Sequence, residues 1–113
     1  MRKISTVLTV FSLLFLFSCE NTEGYITEKF TVYGNCGMCK KTIEGSLNDS
    51  DGISTAEWNM SNDQMMVFFD PKSISLEEIH AKIAAVGYDT EEAKASDEVY
   101  EKLHSCCKYE RPE

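Results

Sequence analysis

The sequence predicts an α+β fold in which two helices cover one face of an antiparallel sheet and one extra helix follows at the C-terminal end. Three observations support this expectation. Residues 26–33 alternate between apolar and polar, which is the period of a half-buried strand. Two later segments show helical spacing, and each follows a predicted strand. A chain of 113 residues has room for one ordinary domain.

The first half of the domain is predicted as strand, helix, strand and strand. A short amphipathic helix follows the first strand, from about residue 39 to 48, because Ile43 and Leu47 lie four positions apart. Two apolar runs, 53–59 and 64–69, are separated by turn residues. These two runs are therefore predicted to form a hairpin.

The second half adds a well-capped helix and two weaker elements. The segment Ser75-Leu-Glu-Glu78 is a capping box that starts the second helix, and Gly87 is a good residue to end it. Residues 88–91 are predicted as a charged edge strand, and Ser96 as the cap of a last helix over residues 97–104. The order β-α-β-β-α-β plus one helix is that of a ferredoxin-like sandwich. Inward-facing positions of the second helix are expected at Leu76, Ile79, Ile83 and Val86.

The N-terminal segment has the pattern of an export signal. A basic start precedes a 14-residue apolar stretch, too short to span a bilayer, which ends in Leu-Phe-Ser-Cys and resembles a bacterial lipobox. We therefore expect a lipoprotein signal peptide over residues 1–18, a lipidated Cys19 with a tether over 19–24, a domain over 25–109 and a tail over 110–113. This predicts a lipid-anchored protein of the bacterial cell envelope that faces the periplasm. An ordinary export signal or a membrane-anchoring helix is the alternative.

The composition and the motifs exclude two classes of function. The chain has 11 Lys and Arg against 19 Asp and Glu, a formal net charge of −8, and no basic stripe for nucleic acid. It has no Ser-His-Asp order, phosphate-binding glycine loop or paired carboxylates for acid–base work, so we predict a binding protein and no enzyme. A solvated face that could steer a basic partner is predicted from Glu91, Glu92, Asp97, Glu98 and Glu101.

Four cysteines remain after the anchor, and they carry the functional hypothesis. Cys36-Gly-Met-Cys39 lies where a strand turns into a helix, so free backbone amides favour a thiolate there. Two thiolates three positions apart can face one ion from opposite sides, and thiolates select Cu(I) or Zn(II) over hard cations.

The neighbouring pair Cys106 and Cys107 is predicted to return to the same place. The fourth strand would run away from the loop for about 13 Å, and the last helix would run back for about 12 Å. We therefore expect one metal site made of Cys36, Cys39, Cys106 and Cys107. In an exported domain the same four cysteines could instead form structural disulfides.

Several segments together resemble the heavy-metal-associated domain. They are Thr31-Val-Tyr-Gly-Asn-Cys-Gly-Met-Cys-Lys-Lys-Thr-Ile-Glu-Gly-Ser-Leu47, Asp51-Gly-Ile53, Val67-Phe-Phe-Asp-Pro71 and Ala85-Val-Gly-Tyr88. That module occurs in copper chaperones, in N-terminal domains of copper-transporting P-type ATPases and in periplasmic mercury-binding proteins. The resemblance covers about residues 30–89. It implies a ferredoxin-like fold in which Cys36 and Cys39 bind Cu(I) or another soft ion, with Tyr88 packed near the metal loop.

Two features depart from the family pattern. The family usually has Gly-Met-x-Cys-x-x-Cys, whereas Gly34-Asn-Cys36 is one residue shorter and lacks the methionine that pins the loop to the core. Met38 is the candidate substitute. The simple module also lacks the C-terminal helix with its cysteine pair, which would raise the coordination number from two towards three or four and would also suit Zn(II).

Other side chains receive secondary interpretations. His104, Tyr88 and Met38 are candidates for extra ligands or for contacts that support the ligands, although His104 could equally be a solvated cation at a helix end. His80 is expected at the surface. Packing roles are expected for Trp58, Met60, Met65 and Met66.

The main hypothesis is an envelope protein that binds a soft metal ion and delivers or sequesters it by thiol ligand exchange. Cu(I) is favoured, with Zn(II), Hg(II) or Cd(II) as other candidates, and the expected partner is a metal-transport ATPase or another trafficking protein with exposed cysteines. Cys36 is the expected exchanging ligand and Cys39 the ligand held by the helix. Thiol–disulfide exchange is the first alternative, but Pro71 and Pro112 do not supply the proline that a thioredoxin-like site needs beside its cysteines. A zinc or mercury scavenger is the second.

Overall fold

The computed structural model describes residues 22–113, so the predicted signal peptide and Cys19 lie outside the described residues. No helix in this part of the chain is long and apolar enough to cross a bilayer. The elements are β1 (Ile26–Thr31), α1 (Gly37–Asn48), β2 (Ile53–Asn59), β3 (Gln64–Phe69), α2 (Leu76–Ala85), α3 (Asp97–Glu101) and a 3₁₀ turn (Ser105–Cys107).

The sheet is antiparallel, in the order β1-β3-β2, and it confirms the predicted α+β class. Met65 of β3 pairs with Phe30 on one side and with Trp58 on the other. All three side chains are buried on the face that α1 and α2 cover. The helices contribute Cys39, Ile43, Leu47, Ile79 and Ile83 to the same core.

Both predicted N-caps are confirmed. Ser75 Oγ accepts a hydrogen bond from the N–H of Glu78 at 3.1 Å, and Ser96 Oγ accepts one from the N–H of Val99 at 3.2 Å. Each bond satisfies an amide that the first turn of a helix leaves without a partner. Gly87 follows α2 with a φ of +108°, which confirms it as the residue that ends the helix.

The predicted fourth strand over residues 88–91 is wrong in length. Val32 and Thr90 form only an isolated antiparallel bridge. Two backbone hydrogen bonds flank this bridge, from the N–H of Tyr33 to the carbonyl of Asp89 at 2.9 Å and from the N–H of Glu91 to the carbonyl of Thr31 at 3.1 Å. The strand does not continue because residues 90–93 form a turn, in which the N–H of Thr90 donates to the carbonyl of Ala93 at 2.8 Å. β1 itself ends at Thr31, two residues earlier than predicted.

The last helix is also shorter than predicted. α3 ends at Glu101, and His104 takes an extended backbone with φ −57° and ψ 149°. Leu103 instead packs on Gly87, where an added Cβ would lie 2.9 Å from Leu103 Cδ2. Cys106 and Cys107 are therefore carried by a separate 3₁₀ turn and not by a helix.

His80 is buried, which contradicts the predicted surface position. Its side chain is 3% exposed and its ring packs on Phe30 with centroids 4.1 Å apart. Thr90 Oγ1 accepts from the N–H groups of Glu92 and Ala93, so its own hydrogen is directed to His80 Nδ1. The prediction failed because His80 follows Ile79 directly and the buried face of α2 is wide enough to include both.

Candidate metal site

The start of α1 positions the first two sulfurs. Cys36 is the N-cap residue, with extended backbone, and its carbonyl accepts the N–H of Lys40 at 3.0 Å. Cys39 lies in the first helical turn and is fully buried, whereas Cys36 is half-buried. One sulfur of the pair therefore faces the core, and the other lies nearer the surface.

Trp58 supports the loop before Cys36. A Cβ on Gly34 would lie 2.7 Å from Trp58 Cη2, so only glycine allows the ring to lie against the backbone. Trp58 is fully buried and its Nε1 donates to the carbonyl of Val32 at 2.9 Å. Met38 is 48% exposed, so the expectation that it pins the loop to the core is wrong. The tryptophan packs at this point instead.

The predicted convergence of the two cysteine pairs is present in the structure. Cys36 Sγ lies 3.5 Å from Cys39 Sγ and 3.7 Å from Cys107 Sγ, although Cys36 and Cys107 are 71 positions apart in the chain. Cys106 Sγ lies 3.9 Å from Cys107 Sγ. The sulfurs of Cys36, Cys106 and Cys107 all lie within 4.8 Å of one another.

These spacings suit a small soft cation. A tetrahedral ion with metal–sulfur bonds of about 2.3 Å separates its sulfurs by about 3.8 Å. The four cysteines are free thiols in the structure. The arrangement can therefore offer three or four thiolates to one ion.

The thiols of Cys36 and Cys107 differ in pKa. The backbone N–H of Cys39 is the main cause that lowers the pKa of Cys36 to about 7, while burial acts in the opposite direction. Burial raises the pKa of Cys107 to about 12. Cys36 is thus the readier thiolate, and Cys107 loses its proton readily only when a cation takes the place of that proton.

The three secondary candidates have different positions. Tyr88 is 1% exposed and lies beside the buried thiols of Cys39 and Cys107, and its burial raises the pKa of its hydroxyl. The thiol of Cys106 donates a weak hydrogen bond to Met38 Sδ, with the two sulfurs 3.6 Å apart. His104 is exposed and lies outside the sulfur group.

Hydrogen bonds from the body of the domain hold the C-terminal segment against the loop. Asn35 Nδ2 donates to the carbonyl of Cys106 at 3.0 Å. Tyr109 is buried, and its hydroxyl donates to the carbonyl of Gly87 and accepts the N–H of Asp89, both at 2.8 Å. The segment that carries Cys106 and Cys107 is thereby fixed within the 3₁₀ turn and two residues after it.

Asp89 and Arg111 form a buried ion pair that the sequence interpretation missed. Arg111 Nε and Nη2 each lie 2.8 Å from one carboxylate oxygen of Asp89, whose side chain is fully buried. The N–H of Ala95 donates to the same carboxylate at 2.7 Å. Burial alone would raise the pKa of Asp89, but the hydrogen bonds from Arg111 and Ala95 outweigh it and lower the pKa. Asp89 and Arg111 are 22 positions apart, and no pattern in the sequence predicts that they pair. The only available signal was that Asp89 directly follows Tyr88, which was expected near the metal loop.

The acidic residues near the C-terminus are exposed, as predicted, but several also form contacts. Glu91 accepts the N–H of Thr31 at 2.8 Å, and Asp97 pairs with Arg111 at 2.7 Å. Two further residues of this group form ion pairs, Glu98 with Lys102 at 3.5 Å and Glu101 with Lys108 at 2.9 Å.

Comparisons with known proteins identify the shared part of this site. The family model described as heavy-metal-associated domain matches residues 35–89. "Copper chaperone CopZ" of Staphylococcus aureus (strain bovine RF122 / ET3-1) is 36% identical over 55 residues, which cover 49% of this chain and 81% of that protein. The match ends before Cys106 and Cys107, so the second cysteine pair lies beyond the shared module.

Solved structures agree with the sequence comparison. One titled "CopZ metallochaperone" has a TM-score of 0.56 and 33% identity, over 57% of this chain and 98% of that chain. A copper binding domain from HMA7, a P-type ATPase, has a TM-score of 0.55 and 26% identity, over 57% and 89% of the two chains. The chain therefore belongs to the heavy-metal-associated domain family.

Proposed function

We propose that this protein binds a soft metal ion, Cu(I) by preference, through a cluster of thiols, and that it delivers or retains the ion by ligand exchange. The observation that carries the proposal is the 3.7 Å separation of Cys36 Sγ and Cys107 Sγ. It supports a shell in which Cys36 and Cys39 are joined by the C-terminal cysteines. Family membership and the names of the copper-handling relatives support the same class of ligand.

The donor set favours soft ions over hard ones. Thiolates bind Cu(I), Zn(II), Hg(II) and Cd(II) in preference to Mg(II) or Ca(II). Three thiolates suit Cu(I), and a fourth would also suit tetrahedral Zn(II). The copper relatives favour Cu(I) within this set.

Transfer to a partner would occur by exchange of sulfur ligands, without a redox step. A thiol of the partner forms a metal–sulfur bond and gives its proton to solvent. One metal–sulfur bond to this protein breaks, and the released thiolate takes up a proton. The oxidation state of the ion does not change, and the partner is a metal-transport ATPase or another metal-trafficking protein with accessible cysteines.

The proposed location is the bacterial cell envelope, with a lipid on Cys19. Only the pattern of residues 1–19 supports it. A Cys19→Ser variant should lose incorporation of a fatty-acid label and move from the membrane fraction to the soluble fraction of the cell. Equal labelling of the variant and the native protein would contradict the anchor.

The lowered pKa of Cys36 also favours a second candidate, thiol–disulfide exchange. The two functions make opposite predictions for the reduced protein. A metal-binding protein takes up Cu(I) stoichiometrically and is then protected from alkylation, whereas a thiol–disulfide oxidoreductase reduces insulin with turnover.

An anaerobic Cu(I) titration against a chromophoric chelator tests the proposal. We expect Cys36→Ser to weaken binding by about 10³-fold, about 4 kcal/mol, because Cys36 is the sulfur that contacts both Cys39 and Cys107. Cys106→Ser is the comparison variant: its sulfur belongs to the same group but is exposed and lies 3.9 Å from Cys107 Sγ, so its loss should weaken binding less than the loss of Cys36. Equal affinity of Cys36→Ser and the native protein would refute the thiol site.

A further inference from the structure

The C-terminal thiols depend on a segment that side-chain contacts hold in place. This segment follows α3 and includes the 3₁₀ turn with Cys106 and Cys107. Beyond the turn, Arg111 returns to the body of the domain and pairs with Asp89. We call the Asp89–Arg111 pair the C-terminal latch.

The latch joins the segment to the domain next to the metal loop. Asp89 directly follows Tyr88, which lies beside the thiols of Cys39 and Cys107. Arg111 Nε and Nη2 each donate to a different carboxylate oxygen of Asp89, a bidentate geometry that fixes the orientation of the two groups as well as their distance. Arg111 Nη2 also donates to the carbonyl of Ala95 at 2.6 Å.

A buried carboxylate is costly unless it is fully paired, so the latch has one favourable arrangement. Asp89 is fully buried, and its partners are the guanidinium and the N–H of Ala95. When Arg111 leaves, the carboxylate loses its counter-charge. The position in which Arg111 pairs with Asp89 and Cys107 lies near Cys36 is therefore strongly preferred over one in which the pair is broken and Cys107 moves away.

We propose that Arg111 is a positioning residue that keeps Cys107 within bonding reach of Cys36, so that a bound ion has three thiolate ligands and is released slowly. This rests on the proposed function, because it assumes that the thiols bind a soft ion. Slow release favours retention of the bound ion by this protein over its rapid delivery to a partner.

Slow release follows from the mechanism of exchange. A partner thiol must bond to the ion beside Cys36, and Cys107 Sγ lies 3.7 Å from Cys36 Sγ on that side. Cys107 and Cys39 are both buried, so the approach of a partner is limited to the side of Cys36 and Cys106. Once the partner thiolate is bonded to the ion, the metal bond to Cys107 must break, and the released Cys107 thiolate takes up a proton. Separation of Cys107 from Cys36 strains or opens the latch.

The experiment compares Arg111→Met with Lys108→Met. Both substitutions replace a long cationic side chain of the same segment with a long neutral one, but Lys108 pairs with the exposed Glu101 and not with the buried carboxylate. We expect Arg111→Met to change the sulfur coordination of bound Cu(I), measured by X-ray absorption, from three towards two. Its affinity should fall about 10- to 100-fold, as when groups that orient metal ligands are removed. Lys108→Met should match the native protein.

Two further measurements separate positioning from general stability. In a Cys107→Ser background, Arg111→Met should have no additional effect on affinity, because the latch acts through Cys107. Transfer of Cu(I) to a peptide with two cysteines should become faster in Arg111→Met, and Arg111→Lys should restore the native rate only in part, since lysine lacks the bidentate fork.

The outcomes are distinguishable. Failure of the native protein to bind Cu(I) would refute the proposed function. Native binding with identical coordination and transfer rates in Arg111→Met and Lys108→Met would refute the latch alone. If Arg111→Met does not fold, Arg111→Lys takes its place, because lysine keeps the positive charge but cannot form the two hydrogen bonds to the Asp89 carboxylate. It should accelerate transfer to a smaller degree, and an unchanged rate in folded Arg111→Lys would then overturn the proposal.

Discussion

The two cysteine pairs reach the same place by different means. Cys36 and Cys39 are positioned by local structure, because α1 begins between them, with Cys36 as its N-cap residue and Cys39 in its first turn. Cys106 and Cys107 are positioned by contacts between residues far apart in sequence, through Asn35, Tyr109 and Arg111. Each pair nevertheless supplies one buried sulfur and one more accessible sulfur.

The difference separates what the shared module provides from what this chain adds. The first pair needs only the helix start and the packing of Trp58 below the loop. The second pair needs a network of buried polar groups, in which each member left without a partner costs free energy. Substitutions in that network should therefore affect the second pair and leave the first pair in place.

The largest expected effect on stability comes from Asp89→Ala. Removal of one partner of a buried ion pair costs about 3 to 5 kcal/mol, and the N–H of Ala95 also loses its acceptor. Urea denaturation of the reduced protein measures the free energy of unfolding. Asp97→Ala is the control, since Asp97 binds the same guanidinium from a side chain that is 96% exposed and should cost at most about 1 kcal/mol.

The contribution of Asp89 should also depend on pH. Its pKa is lowered from 3.8 in the folded state, so the stabilisation is complete above that value and is lost as the pH falls below it, through the folded pKa. The acid dependence below pH 4 should be smaller in Asp89→Asn. Equal costs of Asp89→Ala and Asp97→Ala would show that the segment is not held through the buried carboxylate.

An intermediate effect is expected from Tyr109→Phe. The substitution leaves the buried N–H of Asp89 and the carbonyl of Gly87 without their hydroxyl partner, which costs about 1 to 3 kcal/mol. Tyr25→Phe is the matched control, because Tyr25 packs on Phe68 and its hydroxyl makes no hydrogen bond within residues 22–113. If both variants lose the same free energy of unfolding, Tyr109 acts by packing alone and the comparison of the two pairs is weakened.

The smallest expected effect on the free energy of unfolding comes from the protonation of His80, which belongs to the shared module. Burial lowers its pKa from 6.5, against a smaller opposing influence of Glu92 and Glu91. The neutral form is therefore the folded form, and its stabilisation is complete above pH 6.5 and is lost as the pH falls below that value. Stability curves between pH 7 and pH 5, compared with those of His80→Asn, measure the effect.

The direction of this effect has an independent structural reason. Thr90 Oγ1 already accepts two N–H groups and donates to Nδ1 of His80, so a proton on Nδ1 would remove that hydrogen bond. A stability that rises as the native protein is acidified from pH 7 to pH 5 would contradict this tautomer. A His104→Gln variant would identify the resonance of His80 in NMR, because the chain has two histidines.

Local patterns in the sequence were sufficient for most of the fold. Each of these patterns depends only on residues a few positions apart in the sequence. They are the alternation in β1 and β3, the spacing of Ile43 and Leu47, and the helix cap at Ser75. The helix start at Cys36 belongs to the same class of signal. For that reason the first cysteine pair could be placed without a structure.

The predictions from sequence were wrong where contacts between residues far apart in the chain determine the structure. The last helix was predicted too long because Leu103 packs on Gly87, a contact that no spacing encodes. His80 was predicted at the surface because its partners, Phe30 and Thr90, come from other parts of the chain. The convergence of the sulfurs was predicted from lengths alone, and the prediction succeeded even though the fourth strand and the last helix are both shorter than assumed.

The packing of Trp58 against Gly34 gives the protein a built-in optical probe. Trp58 is the one tryptophan of the chain, and its ring lies below the loop that leads into Cys36. A heavy or paramagnetic ion at the sulfurs, or a shift of that loop, should change the fluorescence of this single indole. Loading and unloading of the protein can then be followed in real time without a label.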